Sequence, residues 1–136
     1  MYLYYKNNMV LVAQLVGTLL GLLAVIFGAF GAHLLKKTFT VDQLNSFETG
    51  VKYQMYHALL IIMLSFNLNL ETDLEKAIIY CFIIGILLFC FSIYGLCISA
   101  SKGNKIKILG PITPIGGLFL VFGWSLLLYH FVKNLI

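Results

Sequence analysis

Three histidines, three cysteines and five carboxylates are the side chains of this 136-residue chain that acid–base, nucleophilic or metal chemistry would draw on. Their spacing speaks against most of it. Cys81, Cys90 and Cys97 fall in one apolar run without the CxxC or Cys/His spacing of metal and redox sites, and read as small packing residues. The acids Asp42, Glu48, Glu71, Asp73 and Glu75 sit in short polar stretches and form no catalytic pair. No nucleophile elbow, HExxH, phosphate loop or dinucleotide fingerprint occurs, and Gly28-Ala29-Phe30-Gly31 has too few glycines to cradle a phosphate. The expectation is therefore a protein that is not an enzyme and carries no cofactor.

The histidines remain. His33, His57 and His130 lie inside or at the ends of apolar runs, where a polar group faces the interior of a helix bundle. His57 follows Gln54 by three residues and Tyr53 by four, so all three share a helix face and suit a hydrogen-bonded cluster. In the sharper reading His33 joins this cluster from the preceding run, forming a proton relay or a pair of metal ligands. In the plainer one the cluster is a hydrogen-bond clamp between helices. A metal needs three or four ligands and no further carboxylate or cysteine stands nearby in sequence, so no metal is assigned. The clamp is the favoured reading, with movement of a proton or small solute as its rival.

The elements that would position these residues follow from composition. The chain is 61% hydrophobic and 10% charged, with mean hydropathy +0.98, against roughly 25% charged residues in soluble domains. So few charges cannot cover a water-exposed surface of this size. The solvent implied is lipid. Uncharged runs at 9–35, 77–101 and 108–132 are each long enough to cross a hydrocarbon core of about 30 Å as helices. A cleavable signal peptide competes for the first run, but its apolar region would exceed the usual ~7–15 residues. Thr40-Val41-Asp42-Gln43 has the form of a capping box, so a helix should begin near Val41. Leu44, Phe47 and Val51 recur at helical spacing while Asp42, Asn45 and Lys52 point elsewhere, as in an interfacial amphipathic helix. It leads into a second span at 53–70, either as one long helix or with a bend near Gly50. Pro111 and Pro114 fall in the first turns of the fourth run, where proline costs least. The fold expected is an all-α integral membrane four-helix bundle in a single domain.

Gly17, Gly21, Ala24, Gly28 and Ala32 follow steps of four, three, four and four, placing them along one face of the first helix. A stripe of small residues lets two helix backbones approach closely, which carries association where lipid removes the hydrophobic drive. Gly85, Ser92 and Ser99 form a weaker stripe on the third run, and Gly116, Gly117 and Gly123 thin the fourth. Contact within one chain is favoured over contact between copies.

The net charge of +4 rests on nine lysines and no arginine, all at the edges of the runs. This is a membrane-flank pattern and not a nucleic-acid patch, which would show arginine forks or a basic stripe with aromatics. The first and third connections hold three lysines each, and the N-terminal flank, second connection and C-terminal flank one each. The positive-inside rule then places both termini outside. Tyr2, Tyr4, Tyr5 and Tyr129 suit the interfacial aromatic belt, while Trp124 falls deep enough to pack inside. Glu48 and Lys52, one turn apart, read as an exposed pair of about 0.3–0.5 kcal/mol.

Gly28-Ala29-Phe30-Gly31-Ala32-His33, then Thr49 through Leu59 (TGVKYQMYHAL), then Thr113-Pro114-Ile115-Gly116-Gly117 through Gly123-Trp124 resemble the motifs of the YgdD/YwdK family of small bacterial inner-membrane proteins. The likeness spans nearly the whole chain and implies four spans in a bacterial plasma membrane. It places His33, Gln54 and His57 at motif positions without attaching chemistry to them. One departure lies in the third run, where the family's FSGSLY-like stretch of small residues is Phe89-Cys90-Phe91-Ser92-Ile93-Tyr94 here and Phe91 adds bulk. The function expected is that of a non-enzymatic structural or assembly component, whose partners are the lipid bilayer and other membrane proteins or further copies of itself. A transporter or channel for protons or a small solute is the alternative.

Overall fold

A computed structural model describes residues 8–136, apart from the side chain of Ala32. Lys6, Tyr2, Tyr4 and Tyr5 thus lie outside the described residues. Four helices make up nearly all of it: α1 (Asn8–His33), α2 (Val41–Asn67), α3 (Asp73–Ser101) and α4 (Leu109–Leu135). A 3-10 turn at Leu35–Lys37 follows α1. The protein is an all-α membrane bundle.

Local chemistry explains where the helices start and stop. Thr40 Oγ1 accepts from Gln43 N at 3.3 Å and Gln43 Oε1 accepts from Thr40 N at 2.9 Å, so the capping box opens α2 as expected. α2 then runs unbroken through Gly50, and the second segment is one helix. It ends at Asn67, three residues short of the expected boundary, because Leu68 is extended and Leu70 takes the left-handed conformation with φ 54°. A second capping box, Thr72 with Glu75, opens α3 four residues before the expected start. Glu75 Oε2 accepts from both Thr72 N (3.2 Å) and Glu71 N (3.1 Å), which satisfies donors that the helix leaves free. Asp73 and Glu75 are therefore first-turn residues, where their charge complements the helix dipole, and not a polar linker. In α4 only Pro111 lies among the first four positions; Pro114 sits one turn further in, where its missing N–H leaves the Gly110 carbonyl without its helical partner.

The helices pack as two hairpins. α1 lies on α2, α4 on α3, and the hairpins join through α2 and α3; α1 meets α3 only lightly. Ile61, Ile78, Ile79, Phe82 and Ile86 are fully enclosed at the centre. The glycines set the closeness of each seam. A Cβ on Gly17 would stand 2.8 Å from Ile62 Cγ1 and 3.2 Å from the Ala58 carbonyl, and one on Gly28 would stand 3.5 Å from Val51 Cγ1. Gly17, Gly21 and Gly28 thus face α2, with Ala24 buried beside them. The tighter seam is α3 with α4: a Cβ on Gly116 would overlap the backbone of Leu88 and Phe89, and one on Gly123 would stand 2.9 Å from Phe82. The bulk of Phe91 is taken up by Phe27 of α1, edge-on at 6.4 Å.

Around the outside, Leu15, Leu19 and Leu22 of α1, Met63 and Phe66 of α2, and Leu118, Val121 and Leu128 of α4 are exposed. An apolar belt this continuous calls for lipid contact. α1, α3 and α4 are each long and apolar enough to cross a membrane. α2 is as long as α4 but carries Lys52, Gln54 and His57, and is not among them. Six lysines and two carboxylates gather at the end formed by the 3-10 turn, the start of α2 and the α3–α4 connection. Glu71, Asp73 and Glu75 mark the opposite end, with Lys76 and Lys133.

Candidate functional site

The polar side chains buried midway along the bundle form two hydrogen-bonded stitches. Gln54 is fully buried on α2 and reaches in two directions. Its Nε2 donates to the Leu20 carbonyl of α1 at 2.8 Å, and its Oε1 accepts from the Tyr94 hydroxyl of α3 at 2.8 Å. One amide thereby ties three helices. Tyr94 is held in turn by aromatic neighbours, with Phe47 at 4.8 Å and Phe27 at 5.1 Å between ring centres.

His57, one turn further along α2, makes the second stitch. Its Nδ1 lies 2.7 Å from the Tyr53 carbonyl, and Trp124 Nε1 of α4 lies 3.2 Å from its Nε2. A carbonyl only accepts, so Nδ1 carries the proton; an indole N–H only donates, so Nε2 is bare. Both nitrogens are occupied and the ring is neutral. Phe82 at 5.6 Å and Trp124 at 6.2 Å wall it in.

Of the expected cluster, the structure brings together Gln54 and His57 as neighbours on α2, Gln54 bonded to α1 and α3 and His57 to α4. Tyr53 contributes its backbone carbonyl, while its ring stacks on His57 at 6.0 Å and stays 42% exposed. The structure does not bring His33 to this place. It ends α1, exposed, thirteen positions beyond Leu20, which is about 20 Å along the helix axis. The sharper reading, a relay or ligand pair of His33 with His57, therefore has no geometry to support it. His130 is also elsewhere, 3.1 Å from Asn134 near the end of α4.

Two participants were not legible in the chain. Tyr94 lies forty residues from Gln54, and Trp124 sixty-seven from His57; nothing local signals either pairing. Trp124 was expected to pack inside, and it does so only in part: its ring meets Phe82 and His57, while the residue as a whole is 51% exposed. Ser92 and Thr113 make a third, smaller stitch between α3 and α4 at 2.7 Å. Among the described residues no three His, Cys, Asp or Glu side chains gather as a metal site would need. Chemically, these groups hold helices together; none presents a free nucleophile or base to a cavity.

A family model described as a protein of unknown function, DUF423, matches residues 27–117. The UPF0382 membrane protein YwdK of Bacillus subtilis is 35% identical over 123 residues, covering 89% of this chain and 96% of its own. A UPF0382 membrane protein of Haemophilus influenzae is 33% identical, covering 84% and 88% respectively. Another, from the fission yeast Schizosaccharomyces pombe, is 38% identical and covers 83% and 95%, so such proteins are not confined to bacteria. No solved structure matches the chain.

Proposed function

The chain belongs to the DUF423 family of membrane proteins, and on that premise we propose that it is a non-enzymatic structural or assembly component spanning the membrane four times. The observation that carries this reading is the occupation of the interior polar groups. Both amide atoms of Gln54 bond to neighbouring helices, and both ring nitrogens of His57 are taken, Nδ1 by the Tyr53 carbonyl of its own helix and Nε2 by Trp124 of α4. A transport path needs polar groups free to exchange partners with the solute, and these are spent on holding α1, α2, α3 and α4 in register.

The same stitches support α2 as the fourth span. Its polar side chains at Gln54 and His57 face protein, and its outward residues Leu59, Met63 and Phe66 face away from it. The lysine excess at the end shared by the 3-10 turn and the α3–α4 connection supports a cytoplasmic placement of that end, with both termini outside and the plasma membrane as location. The exposed apolar faces of α1 and α4, which share no extensive contact, are the surfaces on which another membrane protein or a second copy would sit.

Purified protein in liposomes tests the reading. Proton and small-solute flux should equal that of empty vesicles, and cross-linking in native membranes should yield a discrete complex through α1 or α4. Flux above the empty-vesicle level that His57→Phe abolishes would establish the transporter instead.

A further inference from the structure

At the lysine-rich end, the first turns of α2 stand apart from the last turns of α3 and the start of α4, leaving a cleft of about 550 Å³. That is within the ~300–1,000 Å³ range of small-molecule sites. Leu96 and Ala100 of α3 form an apolar wall, Ser46 and Thr49 of α2 present hydroxyls, and Asp42 and Lys105 bring one charge of each sign. We propose that this cleft binds one phospholipid with a zwitterionic, primary-amine headgroup of the phosphoethanolamine type.

Depth argues for an amphipath. The cleft reaches down to Ile93, eight residues before the end of α3 at Ser101, which is about 12 Å along the helix. The headgroup zone of a bilayer is roughly 5–8 Å thick on each side, so the cleft passes from the headgroups into hydrocarbon. A water-soluble solute would leave the apolar wall unused; a lipid covers it with its glycerol and upper acyl carbons.

Charge selects the headgroup. Among the described residues the only ion pair is Lys52 with Glu48, so Asp42 and Lys105 do not neutralise each other. They come from different elements, α2 and the α3–α4 connection, and a headgroup carrying phosphate and ammonium satisfies both. The ammonium has three N–H donors for Asp42 and the hydroxyls of Ser46 and Thr49. A choline headgroup has none, and its quaternary cation seeks an aromatic cage. No aromatic residue lines this cleft. A purely anionic headgroup would meet Lys105 but leave Asp42 facing like charge.

The test uses the full chain purified in neutral maltoside detergent, with its thermal midpoint followed as dioleoyl phosphatidylethanolamine, phosphatidylcholine or phosphatidylglycerol is added. Soluble O-phosphoethanolamine and inorganic phosphate form separate arms. The ethanolamine lipid should raise the midpoint most. Its apparent affinity should fall about tenfold in Asp42→Asn and in Lys105→Gln, and stay unchanged in Lys107→Gln. Because Asp42 also stabilises the start of α2, Ala100→Leu provides a second variant that narrows the cleft without altering charge, and it should abolish the lipid shift. Equal shifts from the three lipids, preference for phosphatidylglycerol, an equal shift from soluble O-phosphoethanolamine, or a shift retained in Ala100→Leu would each overturn the proposal.

Discussion

The indole N–H of Trp124 donates to Nε2 of His57 across 3.2 Å, joining α4 to α2 although the two helices belong to different hairpins. The bond is possible because the Tyr53 carbonyl holds the histidine proton on Nδ1. The two hairpins are thus locked on one side by His57 with Trp124 and on another by Gln54 with Tyr94.

Coupling between His57 and Trp124 should be measurable. Trp124→Phe keeps the ring but removes the donor, and His57→Ala removes the acceptor. A double-mutant cycle in detergent unfolding should return about 0.6–1.7 kcal/mol, the range of polar pairs between membrane helices. Additive single effects would deny the bond any energetic role.

Tyr94→Phe should destabilise by about 1 kcal/mol, because it leaves Gln54 Oε1 buried without its donor. Gln54→Leu removes the whole amide and vacates the Leu20 carbonyl, which still carries its own helical N–H. If the stitch matters through its unpaired atoms, Gln54→Leu combined with Tyr94→Phe should cost less than the sum of the two changes.

The glycines separate into two ranks. A Cβ on Gly116 runs into the Leu88–Phe89 backbone, which cannot move without α3 moving, whereas one on Gly28 makes ordinary contact with Val51. Gly116→Ala should therefore lower stability by about 1–3 kcal/mol or more, and Gly28→Ala by less than about 0.5 kcal/mol. Equal midpoint shifts for the two would contradict the packing described for α3 and α4.

Leu70 combines a left-handed backbone with a fully buried side chain. The conformation costs about 1–2 kcal/mol in a non-glycine residue, while losing a buried leucine costs about 2–5 kcal/mol. Leu70→Gly should relieve the first and incur the second, for a net loss of stability in thermal unfolding. A gain would mean that the side chain contributes little.

Orientation is open to labelling, because Cys81, Cys90 and Cys97 are all buried and give little background. In intact cells a membrane-impermeant maleimide should react with Glu71→Cys, on the acidic turn, and not with Asn104→Cys, on the lysine-rich one. The reverse pattern would place both termini inside.

How much of this was legible beforehand follows from the range of each interaction. The amphipathic entry of α2, its capping box and the apolar runs depend on residues within a few turns of one another, and their spacing alone specifies helices and a lipid environment. The Thr72–Glu75 box was equally local and carried the same signal as Thr40–Gln43, yet its acids resemble a linker until the helix is seen to start beneath them. The small-residue stripe on α1 was readable as a face, but its partner was not. Spacing does not rank Gly116 above Gly28 either, since that order depends on which neighbouring backbone happens to lie opposite.

The polar interior divides in the same way. That Gln54 and His57 share a face of one helix is arithmetic on the chain, and that such groups need partners in a membrane is physics that requires no coordinates. Of the partners they take, the Tyr53 carbonyl is local to α2 and Leu20 lies within the α1–α2 hairpin, whereas Tyr94 and Trp124 were decided by the docking of the two hairpins. With Leu20 set against Gln54, His33 falls about 20 Å further along α1. Helical periodicity is a local property, whereas a hydrogen bond across sixty-seven residues depends on how whole helices pack, and only the tertiary structure contains that.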